Sequence, residues 1–119
     1  MNKVYTKIVY NACYGGFSLS HEAIRRYAEI KGIVLKEEPN EYGSVDFSYE
    51  NGDYFSAYDF DRTDPALVQV VEELGEEASG GWGDLQIRDV PAGSLYRIDE
   101  YDGFESVDLQ DEYDWKVAQ

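Results

Sequence analysis

Two stretches of this 119-residue chain carry both a start and a stop signal for a helix, and they narrow its fold class more than any other feature. In the first, Ser20 can cap the opening amide groups, Glu22 sits near the positive end of the helix dipole, and Gly32 suits a left-handed stop. Ala23, Ile24, Tyr27, Ala28 and Lys31 fall on one stripe, while Glu22–Arg26 and Arg25–Glu29 pair at i,i+4 spacing on another face. The second stretch opens at Thr63-Asp64-Pro65, a capping residue before proline at the first helical position, and closes at Gly75. Leu67, Val70, Val71 and Leu74 form its apolar stripe.

The remaining regular segments are short and β-type. KVYTKIVY, rich in β-branched and aromatic residues, predicts a first strand that NACYGG breaks. Residues 45–50 and 53–58 flank Asn51-Gly52, a dipeptide suited to a two-residue hairpin turn because both positions need positive φ. That register puts Val45, Phe47 and Tyr49 on one face with Tyr54, Ser56 and Tyr58, and sets Glu50 opposite Asp53 as a like-charge pair. LQIRDV and LYRIDEY flank the Pro91-Ala92-Gly93 turn, and Asp102-Gly103 turns into a last strand, FESVDL. The pattern predicts a single α+β domain over residues 1–119: one mixed or antiparallel β-sheet of about five to six strands with two α-helices packed on it.

One cysteine cannot close an internal disulfide, which suits a reducing cytoplasm. No signal-peptide pattern and no apolar run of membrane-spanning length is visible, so the expectation is a soluble, intracellular protein. Charge is the loudest feature, with 25 acids against 10 bases. Residues 1–36 hold six bases against two acids, whereas residues 37–119 hold four bases against 23 acids. A field of this sign repels nucleic acid and anionic membranes and attracts basic surfaces. Hydrophobic residues at 43% and aromatics at 15% separate the chain from disordered acidic sequences.

Two regions are candidate sites. The loop Cys13, Tyr14, Gly15, Gly16 and Phe17 precedes a helix, so its amide groups and the dipole favour a small anion, although the phosphate-loop Lys-Ser/Thr pair is missing. Cys13 with His21 suggests a thiol activated by an imidazole, but no third, orienting group stands out. The simplest reading is a glycine turn between strand and helix. No cofactor or specific metal set is implied. The second region is the acidic end, where Asp99, Glu100, Asp102, Glu105, Asp108, Asp111, Glu112 and Asp114 alternate with Tyr101, Phe104, Tyr113 and Trp115. Carboxylates on a rigid surface imitate duplex phosphates, and interleaved rings supply interface anchors that a merely solubilising surface does not need. Asp46, Glu50 and Asp53 of the hairpin are candidate neighbours of that surface.

Taken together, KIVYNACYGGFSLSHEAIRRYAEIKG, RTDPALVQVVEELG and IDEYDGFE resemble a group of small proteins of undetermined function encoded by tailed bacteriophages. The resemblance spans roughly half the chain and implies a phage origin and a bacterial-cytoplasm setting. It transfers no catalytic or ligand residues. The leading expectation is a non-enzymatic phage accessory protein that blocks a host nucleic-acid-dependent defence system by docking its acidic surface on a basic nucleic-acid-binding site. Direct binding to nucleic acid or membrane is not expected. A protein that sequesters a nucleotide signal and a small enzyme that modifies a host protein are the alternatives.

Overall fold

The computed structural model of the chain describes residues 4–56, 60–81, 83–110 and 118. The elements run β1 (Tyr5–Asn11), α1 (His21–Lys31), β2 (Leu35–Pro39), β3 (Val45–Tyr49), α2 (Pro65–Leu74), a short 3₁₀ turn (Gly75–Ala78), β4 (Leu85–Pro91), β5 (Tyr96–Tyr101) and β6 (Phe104–Leu109). The class is α+β, as the sequence predicts, with two α-helices and six strands among the described residues. The strands do not share one sheet. Among the described residues they pair two by two, all antiparallel: β1 with β4, β2 with β3, and β5 with β6.

Both helices form where their signals lie. The Ser20 hydroxyl accepts from the Ala23 amide at 3.1 Å, and Gly32 ends α1 at φ 69°. Asp64 accepts from the Ala66 amide at 2.9 Å, with Pro65 in the first turn of α2. Their apolar faces meet in the main core: Ala23, Ile24 and Tyr27 from α1, and Leu67, Val70 and Val71 from α2. The arginines of α1 depart from the i,i+4 expectation. Arg25 reaches Glu37 at 2.7 Å, and Arg26 reaches Glu73 at 2.8 Å as well as Glu29 at i+3, 3.1 Å away, so they join α1 to β2 and α2.

The β1–β4 ribbon lies between two cores, which explains why β1 is apolar on consecutive residues instead of alternating. In its register Val9 faces Ile87 on the helix side, in the core that also holds Leu85 and Leu67. Ile8 and Val90 lie on the opposite side, where Val107 of β6 closes a second, smaller core with Ile98 and Leu109 packed against it. The β5–β6 hairpin therefore covers the back of the ribbon.

The turn at Asn51-Gly52 forms in a register different from the two-residue hairpin. Ser48 bridges Tyr54, and the Phe55 amide donates to the Phe47 carbonyl at 3.0 Å. Gly52 takes φ 94° but Asn51 does not take positive φ, so the loop spans Glu50, Asn51 and Gly52. The extra residue exchanges the two faces of the returning segment. Phe55 is buried against Phe47 and Tyr49, Tyr54 is left exposed, and Glu50 does not stand opposite Asp53, whose carbonyl accepts from the Tyr49 amide. The two-residue turn with positive φ at both positions lies instead at Asp102 (φ 51°) and Gly103 (φ 89°), joining β5 to β6.

Candidate functional site

The register of the β5–β6 hairpin sorts the acidic end by face. Tyr96, Ile98 and Glu100 stand opposite Leu109, Val107 and Glu105, and Val107 marks this face as the one turned to the ribbon. Arg97, Asp99 and Tyr101 stand opposite Asp108, Ser106 and Phe104 on the outward face. Asp99, Glu100, Tyr101 and Asp102 are exposed, and Glu100 also braces the turn by accepting from the Gly103 amide at 2.9 Å. Asp108 is mostly covered, 4.0 Å from Arg97 Nε, and accepts from the Ser106 hydroxyl. Asp111, Glu112 and Asp114, with Tyr113 and Trp115, lie outside the described residues.

Glu105 does not belong to the acidic surface. It is buried, and its two oxygens take Arg62 Nη1 at 2.6 Å and Nη2 at 3.0 Å. Oε1 also accepts the Asn11 amide at 2.9 Å. The Arg62 guanidinium lies 3.6 Å from the centre of the Phe17 ring, so one cation is held by a carboxylate fork and an aromatic face together. A carboxylate committed to these partners is unavailable to another molecule. The sequence carried a signal of this: in FESVDL, Glu105 shares the parity of Val107 and Leu109, the two aliphatic residues of the strand.

Asn11, which the sequence reading did not single out, organises the neighbouring loop. It is fully buried, and its side-chain amide donates to the Cys13 carbonyl at 2.8 Å and the Gly103 carbonyl at 2.9 Å. Its Oδ1 accepts the Asp84 amide at 2.8 Å. One side chain thus ties the loop after β1 to the tip of β5–β6 and to the start of β4. The loop lies hard against that tip: a Cβ placed on Gly103 would stand 2.5 Å from the Tyr14 carbonyl oxygen and 2.7 Å from the Gly16 nitrogen. Tyr14 packs on Phe104 with ring centres 5.3 Å apart. The loop after β1 and the tip of β5–β6, far apart in the sequence, meet in one surface. Asp46, Glu50 and Asp53 are on the β2–β3 unit, which pairs with no strand of that hairpin.

For a small anion the loop offers less than its sequence suggests. Phe17 is buried under Arg62. Ser20 satisfies the first turn of α1, while its own amide and hydroxyl donate to the Ala78 and Glu77 carbonyls. Four of the six bases of the N-terminal third answer to acids from further along the chain: Lys7 to Glu72, Arg25 to Glu37, Arg26 to Glu73 and Lys31 to Asp64. Hydrogen bonds from Arg26 and Gln69 hold the Glu73 carboxyl down to about 2. Burial pushes Asp64 upward, but the Tyr27 hydroxyl, the Ala66 amide and Lys31 outweigh it and leave the carboxyl below its ordinary range. Cys13 and His21 have separate partners: the thiol donates to Asn11 Oδ1, while His21 Nε2 is 3.3 Å from the Ser44 hydroxyl and its ring packs edge-on to Phe47.

Two depressions are lined by described residues. One of about 360 Å³ runs beside β6 and includes Tyr10, Arg88, Phe104 and Asp108 in its walls. The other, about 220 Å³, is lined chiefly by Phe17, His21, Phe47, Tyr54 and Phe55. Among the described residues no group of three or more His, Cys, Asp or Glu is placed to hold a metal ion, and no helix is long and apolar enough to cross a membrane. No protein-family model matches the chain, and neither the curated proteins nor the solved structures give a match.

Proposed function

We propose that this chain is a non-enzymatic phage accessory protein that inhibits a host nucleic-acid-dependent defence system, of the anti-CRISPR or anti-restriction type. It acts in the bacterial cytoplasm by docking an acidic surface on a basic nucleic-acid-binding site. One observation carries the reading: Asp99, Glu100 and Asp102 are exposed beside the open rings of Tyr101, Phe104 and Tyr14. Lys7, Arg25, Arg26, Lys31 and Arg62 are meanwhile paired with acids elsewhere in the chain. A surface of this sign steers toward a basic groove, and the contact weakens as salt screens it. The same ion pairing gives a sequestered nucleotide fewer cations to bind, and the separate partners of Cys13 and His21 give an enzyme no assembled pair.

The test is displacement. A restriction endonuclease or CRISPR effector bound to labelled DNA is titrated with the protein and followed by gel shift. DNA is released at low salt and less so at high salt, and the variant Asp99→Lys, Glu100→Gln, Asp102→Asn releases it poorly. Glu105 stays unchanged, because its loss acts on folding. Equal displacement by this variant and the parent protein defeats the proposal.

A further inference from the structure

Three rings crowd the tip of the β5–β6 hairpin. Tyr101 and Phe104 are register partners on the outward face, and Tyr14 packs against Phe104 from the loop after β1. Tyr14 is 65% exposed, Tyr101 77% and Phe104 39%. Asp99 shares their face two residues from Tyr101, and Glu100 and Asp102 flank the turn. The rings are held firmly. Glu100 braces the turn amide, Asn11 grips the Gly103 carbonyl, and Gly103 abuts the Tyr14–Gly16 backbone.

An open sheet face of rings and carboxylates complements one kind of side chain best. An ammonium ion is compact and strongly hydrated, whereas a guanidinium is planar, weakly hydrated and able to stack on a ring while forking to a carboxylate. The protein already uses this combination inside itself: Arg62 is forked on Glu105 and stacked on Phe17. The hairpin tip displays the same two ingredients at its surface; among the described residues the cations seated over rings are Arg25 on Phe47, Lys31 on Tyr27 and Arg62 on Phe17, and none is seated over Tyr14, Tyr101 or Phe104.

We infer that the Tyr14–Tyr101–Phe104 tip, with Asp99, Glu100 and Asp102 at its rim, is an arginine-reading surface that docks a guanidinium-bearing segment of a partner protein. The inference rests on the docking reading above and sharpens it, because it names the partner group and adds Tyr14 to the surface. Its occupant is a protein's arginine, since a field of this sign repels nucleic acid.

The test uses two labelled peptides of equal length and charge, one carrying arginines and the other lysines at the same positions, followed by fluorescence anisotropy. The full-length protein binds the arginine peptide at least about threefold more tightly, and Tyr14→Ser with Tyr101→Thr lowers that ratio by about threefold. Both substitutions are at exposed positions, and unchanged circular dichroism and melting temperature establish that the variant folds. Asp99→Asn with Asp102→Asn weakens both peptides together and leaves the ratio in place. Equal affinity of the parent protein for the two peptides, or a ratio indifferent to the loss of the rings, overturns the inference. A preserved arginine preference in a protein that displaces no DNA from a host effector supports this surface and defeats only the inhibitor reading.

Discussion

Glu105 and Arg62 are a charge pair taken largely out of water, and such a pair is asymmetric in its energetics. Forming it gains little net stability, but removing one partner strands the other charge in a poorly solvated place. Arg62→Ala or Glu105→Ala is therefore expected to cost about 3–5 kcal/mol, with a matching drop in the urea midpoint, and Glu105→Ala also deprives the buried Asn11 amide of its acceptor. Asp99→Ala, on the exposed face, should stay within about 0.5 kcal/mol. If the three variants lose similar stability, Glu105 is not the anchor its geometry implies. Strand parity was enough to place Glu105 inside, since it alternates with Val107 and Leu109. Its partners were not legible, because Arg62 is 43 residues away and nothing local links the two.

At the scale of elements, both helices were readable from their caps, because a cap signal is local and Ser20, Gly32, Asp64 and Pro65 act within a single turn. Hairpin register was harder. One residue more in the loop decides whether Tyr54 or Phe55 enters the core, and Asn51-Gly52 suits either length. The division of the strands into three ladders was not legible at all, since it depends on which ribbon each hairpin covers. Two turn glycines, one between β4 and β5 and one at the tip of β5–β6, offer a controlled comparison. Gly93 and Gly103 both sit at φ 89°, but a Cβ on Gly93 meets open space while one on Gly103 strikes the Tyr14 and Gly16 backbone. Gly93→Ala should cost about 1–2 kcal/mol from its backbone conformation alone, and Gly103→Ala should cost clearly more. Calorimetric melting measures the difference. Equal losses mean that the loop yields and is not clamped to the tip.

For the whole molecule, the lopsided charge along the sequence turns out to be a matter of pairing across it. The early bases meet late acids, and the surplus of acids remains at the surface. Asp61, with Thr63 donating to it, and Glu37, bound by Arg25, are held below their ordinary range, as are Asp64 and Glu73. A carboxyl depressed in the folded state contributes fully above its unfolded value, near pH 4, and loses that contribution as the pH falls through its folded value, about 2 for Glu73. The melting temperature should therefore hold down to about pH 4 and drop steeply below about pH 3 as these paired carboxyls protonate. A melting temperature still rising at pH 2 contradicts these pairings. The bond from the Asn11 amide to Glu105 also has a consequence in time. It joins residues 94 positions apart, so at about 5–20 residues per second the ribosome takes roughly 5 to 19 s to supply the partner. Through most of that interval β1 has emerged without β4, its ladder partner, and throughout it without β6, whose Val107 packs in the core of Ile8. A nascent chain of this kind waits with its most apolar strand uncovered, and its yield in a cell should depend on holdase chaperones more than its folded stability suggests.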